Sequence, residues 1–183
     1  MMLPAIDPVA SHALAAALGV LLLLAGWTKL RDLETFRDTL ANYELLPSPL
    51  LAPVALGLAT AECAAGLLLL PTATRAAGAG LAVALWLVVT AAVVAALARG
   101  KGGIDCGCGG AQQEVPIGVG LVVRNLVLLL LTVLAAAPIG GREVVWLDFA
   151  AVGATALFIL GAITLANTLL AQQSRLHALR NTP

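Results

Sequence analysis

AAGAGLAVALWLVVTAAVVAALA, residues 76–98, runs for twenty-three positions without a charged side chain. About 20 mostly apolar residues carry a helix across the hydrocarbon layer of a bilayer, so this stretch reads as a membrane span. Just beyond it the chain turns polar through Arg99 and Lys101. It then reaches Asp105-Cys106-Gly107-Cys108-Gly109-Gly110. Two thiols one residue apart, on a glycine-rich segment between apolar runs, are a chemical device before they are a packing element.

Outward from residues 76–98, four more segments have the same character: about 9–28, 50–70, 116–137 and 146–170. Prolines punctuate them. Pro4 and Pro8 precede the first, Pro47, Pro49 and Pro53 mark the entry to the second, and Pro71 closes it. Pro116 opens the fourth, where proline is tolerated in a first helical turn, and Pro138 closes it. Small residues at Ala76, Ala77, Gly78 and Gly80 suit close helix contact. Composition agrees: of 183 residues, 61% are hydrophobic and 11% charged, and the mean hydropathy is +1.00. Soluble domains carry about 25% charged residues. The expectation is an all-α integral membrane protein, one transmembrane domain over 1–183. A net charge of zero gives no argument for nucleic acid. No aqueous stretch is long enough for a second domain, so any large substrate or partner must be another chain. The first apolar run lacks Lys or Arg before it and a small-x-small site after it, so it reads as a retained span rather than a cleaved signal. Trp27 and Lys29 read as interfacial anchors at its end.

Between the first two spans, Leu30, Leu33, Phe36 and Leu40 recur every three or four residues with charges between them. That is the pattern of an amphipathic helix on the membrane surface, over about 30–43. Spans alternate in direction, so this helix and the Cys-Gly-Cys segment share one face. Lys29, Arg31, Arg37, Arg99, Lys101, Arg175 and Arg180 fall on that face, against Arg75 and Arg142 opposite. Positive-inside counting places the dithiol in the cytoplasm, whereas stable disulfide chemistry favours the periplasm.

A Cys-x-Cys pair can close on itself, because its α-carbons reach the separation a disulfide needs. Such a small ring is strained and easily reduced, and the flanking glycines permit its backbone angles. Arg99 and Lys101 favour the reactive thiolate. Cys106 and Cys108 are therefore the expected catalytic pair. A closed zinc site takes four ligands, and His12 and His177 stand far off in sequence, so no metal site is assigned. Metal capture and a structural bridge are the alternative readings of the two thiols. Cys63, inside a span, reads as a small packing residue.

Glu62 and Arg124 lie inside spans, where a charge costs at least ~2.5–3.5 kcal/mol on insertion scales. Their helices run the same way and their depths match within a few ångströms, which suggests a Glu62–Arg124 pair with Asn125 beside it. The plain reading is an ion pair that fixes the bundle. The functional one is a pocket for a quinone head group or a proton relay.

Ala25-Gly-Trp-Thr-Lys-Leu-Arg-Asp32, Tyr43-Glu-Leu-Leu-Pro47, Glu62 with Ala65-Gly66-Leu-Leu-Leu, Asp105-Cys-Gly-Cys-Gly-Gly110 and Arg124-Asn125 together resemble the MauE family over about residues 15–135. Gly109 departs from the family pattern, where Phe or a similar residue often follows the second cysteine. The resemblance implies a four-helix bundle like those of DoxX-like and vitamin K epoxide reductase-like (VKOR-like) proteins, here with a fifth span and the surface helix. It also implies methylamine utilisation in the bacterial inner membrane. The implied task is maturation of a disulfide-containing exported client, the methylamine dehydrogenase small subunit or a similar protein, with a thioredoxin-like, MauD-like partner. That client location favours a periplasmic dithiol despite the charge count. The rival expectations are a non-catalytic membrane assembly factor or chaperone, and a metal-handling membrane protein.

Overall fold

The computed structural model describes residues 7–101, 117–138, 140 and 146–180; Cys106, Cys108, Pro116 and Arg142 lie outside them. All regular structure among the described residues is helical: α1 (Pro8–Arg31), α2 (Leu33–Asn42), α3 (Ser48–Leu69), α4 (Arg75–Ala98), α5 (Val119–Ala135) and α6 (Trp146–Arg180).

Local chemistry sets the boundaries. Asp7 caps α1, its carboxylate accepting from the Val9 N–H at 2.8 Å. Pro8 takes the first helical position, where a missing N–H removes no helical bond. Asp32 serves two helices at once. Its backbone N–H donates to the Thr28 carbonyl to end α1, and its side chain accepts from the Thr35 N–H at 3.2 Å to begin α2. The expected surface helix thus starts at Leu33, and Leu30 belongs to α1. Helix α3 starts two residues before its expected entry, so Pro53 lies inside it and removes one helical bond.

Among the described residues four helices are long and apolar enough to cross a membrane: α1, α3, α4 and the 148–169 stretch of α6. Helix α5 is shorter than its expected 116–137. Its 17 residues rise roughly 25 Å, against about 30 Å of hydrocarbon. Gly118, in extended backbone, holds its start at Val119, and the chain leaves at Ala136, ahead of Pro138.

Helices α1, α3, α4 and α5 form a bundle, with α6 laid against α1 from outside. Leu18 and Leu22 of α1, Leu69 of α3, Trp86 of α4 and Leu128 of α5 share its main core. A second cluster at one end joins Tyr43, Val93, Ala96, Ile117 and Leu121. On α6, Phe149, Leu157 and Phe158 are largely exposed, as suits side chains that face lipid. The bundle itself is drawn tight at its other end by Arg75. This buried guanidinium donates to the Leu69 carbonyl at 3.3 Å, the Leu70 carbonyl at 3.5 Å and Ser11 Oγ at 3.1 Å. Ser11 Oγ in turn donates to the Ala135 carbonyl at 3.0 Å. One cation therefore serves the carboxyl end of α3, where positive charge is favoured, and joins it to α1 and α5.

Helices α1 and α3 run antiparallel with their backbones nearly touching. A Cβ on Gly26 would sit 2.6 Å from Cys63 Sγ and 2.7 Å from the Ala59 carbonyl oxygen; one on Gly66 would sit 2.7 Å from the Gly19 carbonyl oxygen. In α4, Gly78 meets the α3 backbone as closely, whereas Gly80 has nothing near it and Ala76 and Ala77 are exposed. The expected small-residue contact of α4 thus reduces to Gly78 and Ala79, and the tightest seam is the one between α1 and α3. Gly26→Val is expected to cost about 1–3 kcal/mol, the range for overpacking. Gly80→Ala should leave stability unchanged or slightly raised. Thermal unfolding of both variants in detergent checks this; equal melting temperatures would refute the seam.

Candidate functional site

The inward stripe of α1 is Gly19, Leu22, Gly26 and Lys29, spaced three or four residues apart and all facing the bundle. Because Gly26 lets α3 approach, Lys29 is carried in beside Glu62. Only 7% of Lys29 and 8% of Glu62 are exposed. The Lys29 ammonium donates to both Glu62 carboxylate oxygens, to Oε2 at 2.6 Å. The ring of Phe36, from α2, covers the ammonium at 5.1 Å, a cation–π contact. Two hydrogen bonds and an aromatic face thus replace much of the hydration that Lys29 gave up.

Next to this pair is a cavity of about 230 Å³ bounded by α2, α3 and α4. Phe36, Leu40 and Tyr43 form its wall on the α2 side, Leu58 lines it from α3, and Val88 and Ala92 line it from α4. Lys29 and Glu62 are the charged members of an otherwise almost wholly apolar lining. The apolar stripe of α2 therefore rests on a cavity inside the bundle, with Phe36 and Thr39 buried and its charges turned outward. Such a space suits a small apolar body that carries one hydrogen-bonding group.

The same end of the bundle holds both anchors of the segment with the two cysteines. Lys101 pairs with the Glu44 carboxylate at 2.5 Å and reaches the Asn42 carbonyl at 3.5 Å. Arg99 donates to the Glu44 carbonyl at 3.0 Å. Glu44 adopts φ +49 to present both groups, and Lys101 holds its carboxyl below the usual glutamate range. On the return, Ile117 is buried against Tyr43 and its neighbours. Lys101 and Ile117 thus both pack against the turn that follows α2. Surface helix and dithiol anchors share one face, as the alternation of spans predicts.

The structure does not join Glu62 to Arg124. Glu62 belongs to Lys29, a residue taken from sequence as an interfacial anchor. Its place in the Gly19–Leu22–Gly26 stripe was the signal that it points inward. Arg124 instead lines a groove between α5 and α6. Asn125 is fully buried on the inward stripe of α5 with Leu121, Leu128 and Thr132, and neither atom of its amide finds a hydrogen-bond partner. Arg124 thus faces the groove while Asn125 faces the bundle core, and neither lines the cavity with Glu62. Cys63 is a free thiol at the α1–α3 seam, against Gly26, which fits its packing role. Cys106 and Cys108 lie outside the described residues.

An α-helical bundle with several spans, a surface helix over a cavity and an ion pair within the bundle define a multi-pass membrane protein. The family model for methylamine utilisation protein MauE matches residues 7–138. The chain belongs to that family. It is 36% identical over 173 residues to the methylamine utilization protein MauE of Paracoccus denitrificans, covering 92% of this chain and 93% of that one. Against the protein of the same name from Methylorubrum extorquens it is 36% identical over 165 residues, 87% and 89% of the two chains. Against that of Methylophilus methylotrophus it is 30% identical over 123 residues, 67% and 65% of the two. No solved structure matches the chain.

Proposed function

We propose that this protein is a membrane thiol–disulfide protein of methylamine utilisation, in which Cys106 and Cys108 exchange disulfides with a thioredoxin-like partner. The task served is maturation of an exported, disulfide-containing client, the methylamine dehydrogenase small subunit or a similar protein, with the dithiol on the periplasmic side. The observation that carries the reading is the fastening of Lys101 and Ile117 against the turn after α2. Lys101 and Ile117 are the described residues that flank the Cys-Gly-Cys segment, and both lie at the cavity end of the bundle. Lys101 and Arg99 also bring positive charge there, which favours a thiolate.

In the oxidising direction, a partner thiolate attacks one sulfur of the Cys106–Cys108 disulfide. A mixed disulfide forms and the other cysteine leaves as thiolate. A second partner thiol then displaces the bound cysteine, so the partner becomes a disulfide and this chain a dithiol, with two electrons and two protons transferred. Regeneration needs an acceptor for the same two electrons and two protons, and a membrane quinone is of the right class. The cavity that holds Lys29 and Glu62 has the apolar wall and the polar groups a quinone ring would need.

Cys106→Ser or Cys108→Ser is expected to trap a partner in a mixed disulfide that is visible on a non-reducing gel and lost with reductant. Client maturation that persists in the double variant, with no trapped species in either single one, would overturn the redox reading in favour of an assembly factor. Labelling by a membrane-impermeant thiol reagent in intact cells, after mild reduction and in a Cys63→Ala background, tests the periplasmic placement.

A further inference from the structure

The α5–α6 groove is separate from the cavity under α2 and shares no lining residue with it. It measures about 700 Å³, with Val123, Val127 and Leu131 on one wall and Phe158, Ala162 and Ala166 on the other. On the α6 side it runs from Phe158 to Leu169, roughly 16 Å along the helix axis, a length that takes much of an acyl chain. Every residue of its lining is apolar or glycine except Arg124, and no carboxylate is among them.

Arg124 is out of place there by ordinary physical standards. Its Nε and Nη1 atoms are buried and make no hydrogen bond. A guanidinium cannot shed its proton to escape the cost, and a bilayer interior is where that cost is greatest. Arg124 is five residues in from Val119, about 8 Å along the helix. A helical side chain leans toward its own amino terminus, so the guanidinium reaches back toward the membrane face that carries α2. That end of α5 carries the positive pole of the helix, with no side-chain cap and no acidic residue in its first turn. Two sources of positive potential therefore meet at the mouth of an apolar groove that opens to lipid.

We propose that the α5–α6 groove is a binding site for one anionic phospholipid, with its phosphate on the Arg124 guanidinium and an acyl chain between α5 and α6. Arginine presents a planar fork that matches phosphate oxygens two at a time, and the Nε and Nη1 atoms of this one have no hydrogen-bond partner within the protein. Among the described residues the groove offers no anion that would receive the choline of a zwitterionic lipid. A net anionic head group is therefore the better match. The lipid fills the gap left where α6 packs on α1 and holds the outer helix to the bundle.

The test is native mass spectrometry of the full chain in neutral detergent, titrated with phosphatidylglycerol and, in parallel, phosphatidylcholine. Wild type is expected to retain phosphatidylglycerol at a concentration about fivefold lower, the factor one basic residue contributes at an anionic lipid surface. Arg124→Gln should erase that preference. Ala166→Phe, which fills the groove and leaves the cation in place, should weaken phosphatidylglycerol retention as well. Arg37→Gln, at the exposed surface of α2, should leave the preference as it is. Equal retention of the two lipids by wild type, or a preference that survives both groove variants, would overturn the proposal. If Arg124→Gln does not fold, Ala166→Phe decides by the same readout.

Discussion

Glu62→Ala is expected to destabilise the folded protein by roughly 3–5 kcal/mol, the cost of leaving one partner of a buried ion pair alone. The Lys29 ammonium is more than nine-tenths buried, and both of its hydrogen bonds in the bundle go to that one carboxylate. The Phe36 ring cannot replace them, since a cation–π contact gives at most about 2 kcal/mol even when desolvated. Lys29→Met alone should cost a similar amount, by stranding the carboxylate. The double variant Lys29→Met/Glu62→Leu should recover most of the loss, because an apolar pair of similar volume avoids desolvation altogether. Thermal or denaturant unfolding of the three variants forms a double-mutant cycle whose coupling energy should be large. A near-additive cycle would show that the two side chains do not act as a pair. The same double variant separates structure from chemistry: a stable protein that no longer supports methylamine utilisation would assign the pair a ligand or proton role. A stable and fully active one would leave it a purely architectural device.

The second large effect belongs to the opposite end of the bundle. Arg75→Met is expected to leave the Leu69 and Leu70 carbonyls and Ser11 Oγ without the guanidinium that now serves them. Each buried polar group left unpaired costs about 1–3 kcal/mol, so the total is expected to rival that at Glu62. Arg75→Lys should be intermediate: it keeps a positive charge at the carboxyl end of α3 but not the fork that reaches three acceptors. Ser11→Ala should cost less than Arg75→Met, since it removes one bond to the guanidinium and one to the Ala135 carbonyl. Melting temperatures should fall in the order wild type, Ser11→Ala, Arg75→Lys, Arg75→Met. A thermal shift for Arg75→Met no larger than for Gly80→Ala would mean that water satisfies these carbonyls and no latch exists.

Together the two sites give the bundle polar fasteners at both ends, with apolar packing between them. At the face of α2, the ion pair, the cavity and the anchored ends of the Cys-Gly-Cys segment lie close together. At the opposite end, Arg75 is consumed by structural carbonyls, which accounts for a basic residue on the face with fewer positive charges.

The helices, their order and the common face of α2 and the two residues that flank the dithiol segment, Lys101 and Ile117, were legible in the sequence. Hydrophobic length, proline punctuation and a three-to-four-residue apolar repeat are local properties, and alternation of spans follows from connectivity alone. The Cys-Gly-Cys motif is a local feature of the sequence as well. Pairing across helices is not. Depth along the membrane suggested Glu62 with Arg124, yet depth says nothing of rotation about the helix axis, and rotation sends Arg124 to the α6 side of α5. What brings Lys29 to Glu62 is the absence of a side chain at Gly26, which lets two backbones come within contact distance. A glycine in a run of alanines and leucines looks like any other small residue until the opposing helix is in place. Length, order and sidedness are thus written along the chain, while partners, cavity and groove arise only when packing selects one face of each helix to meet another.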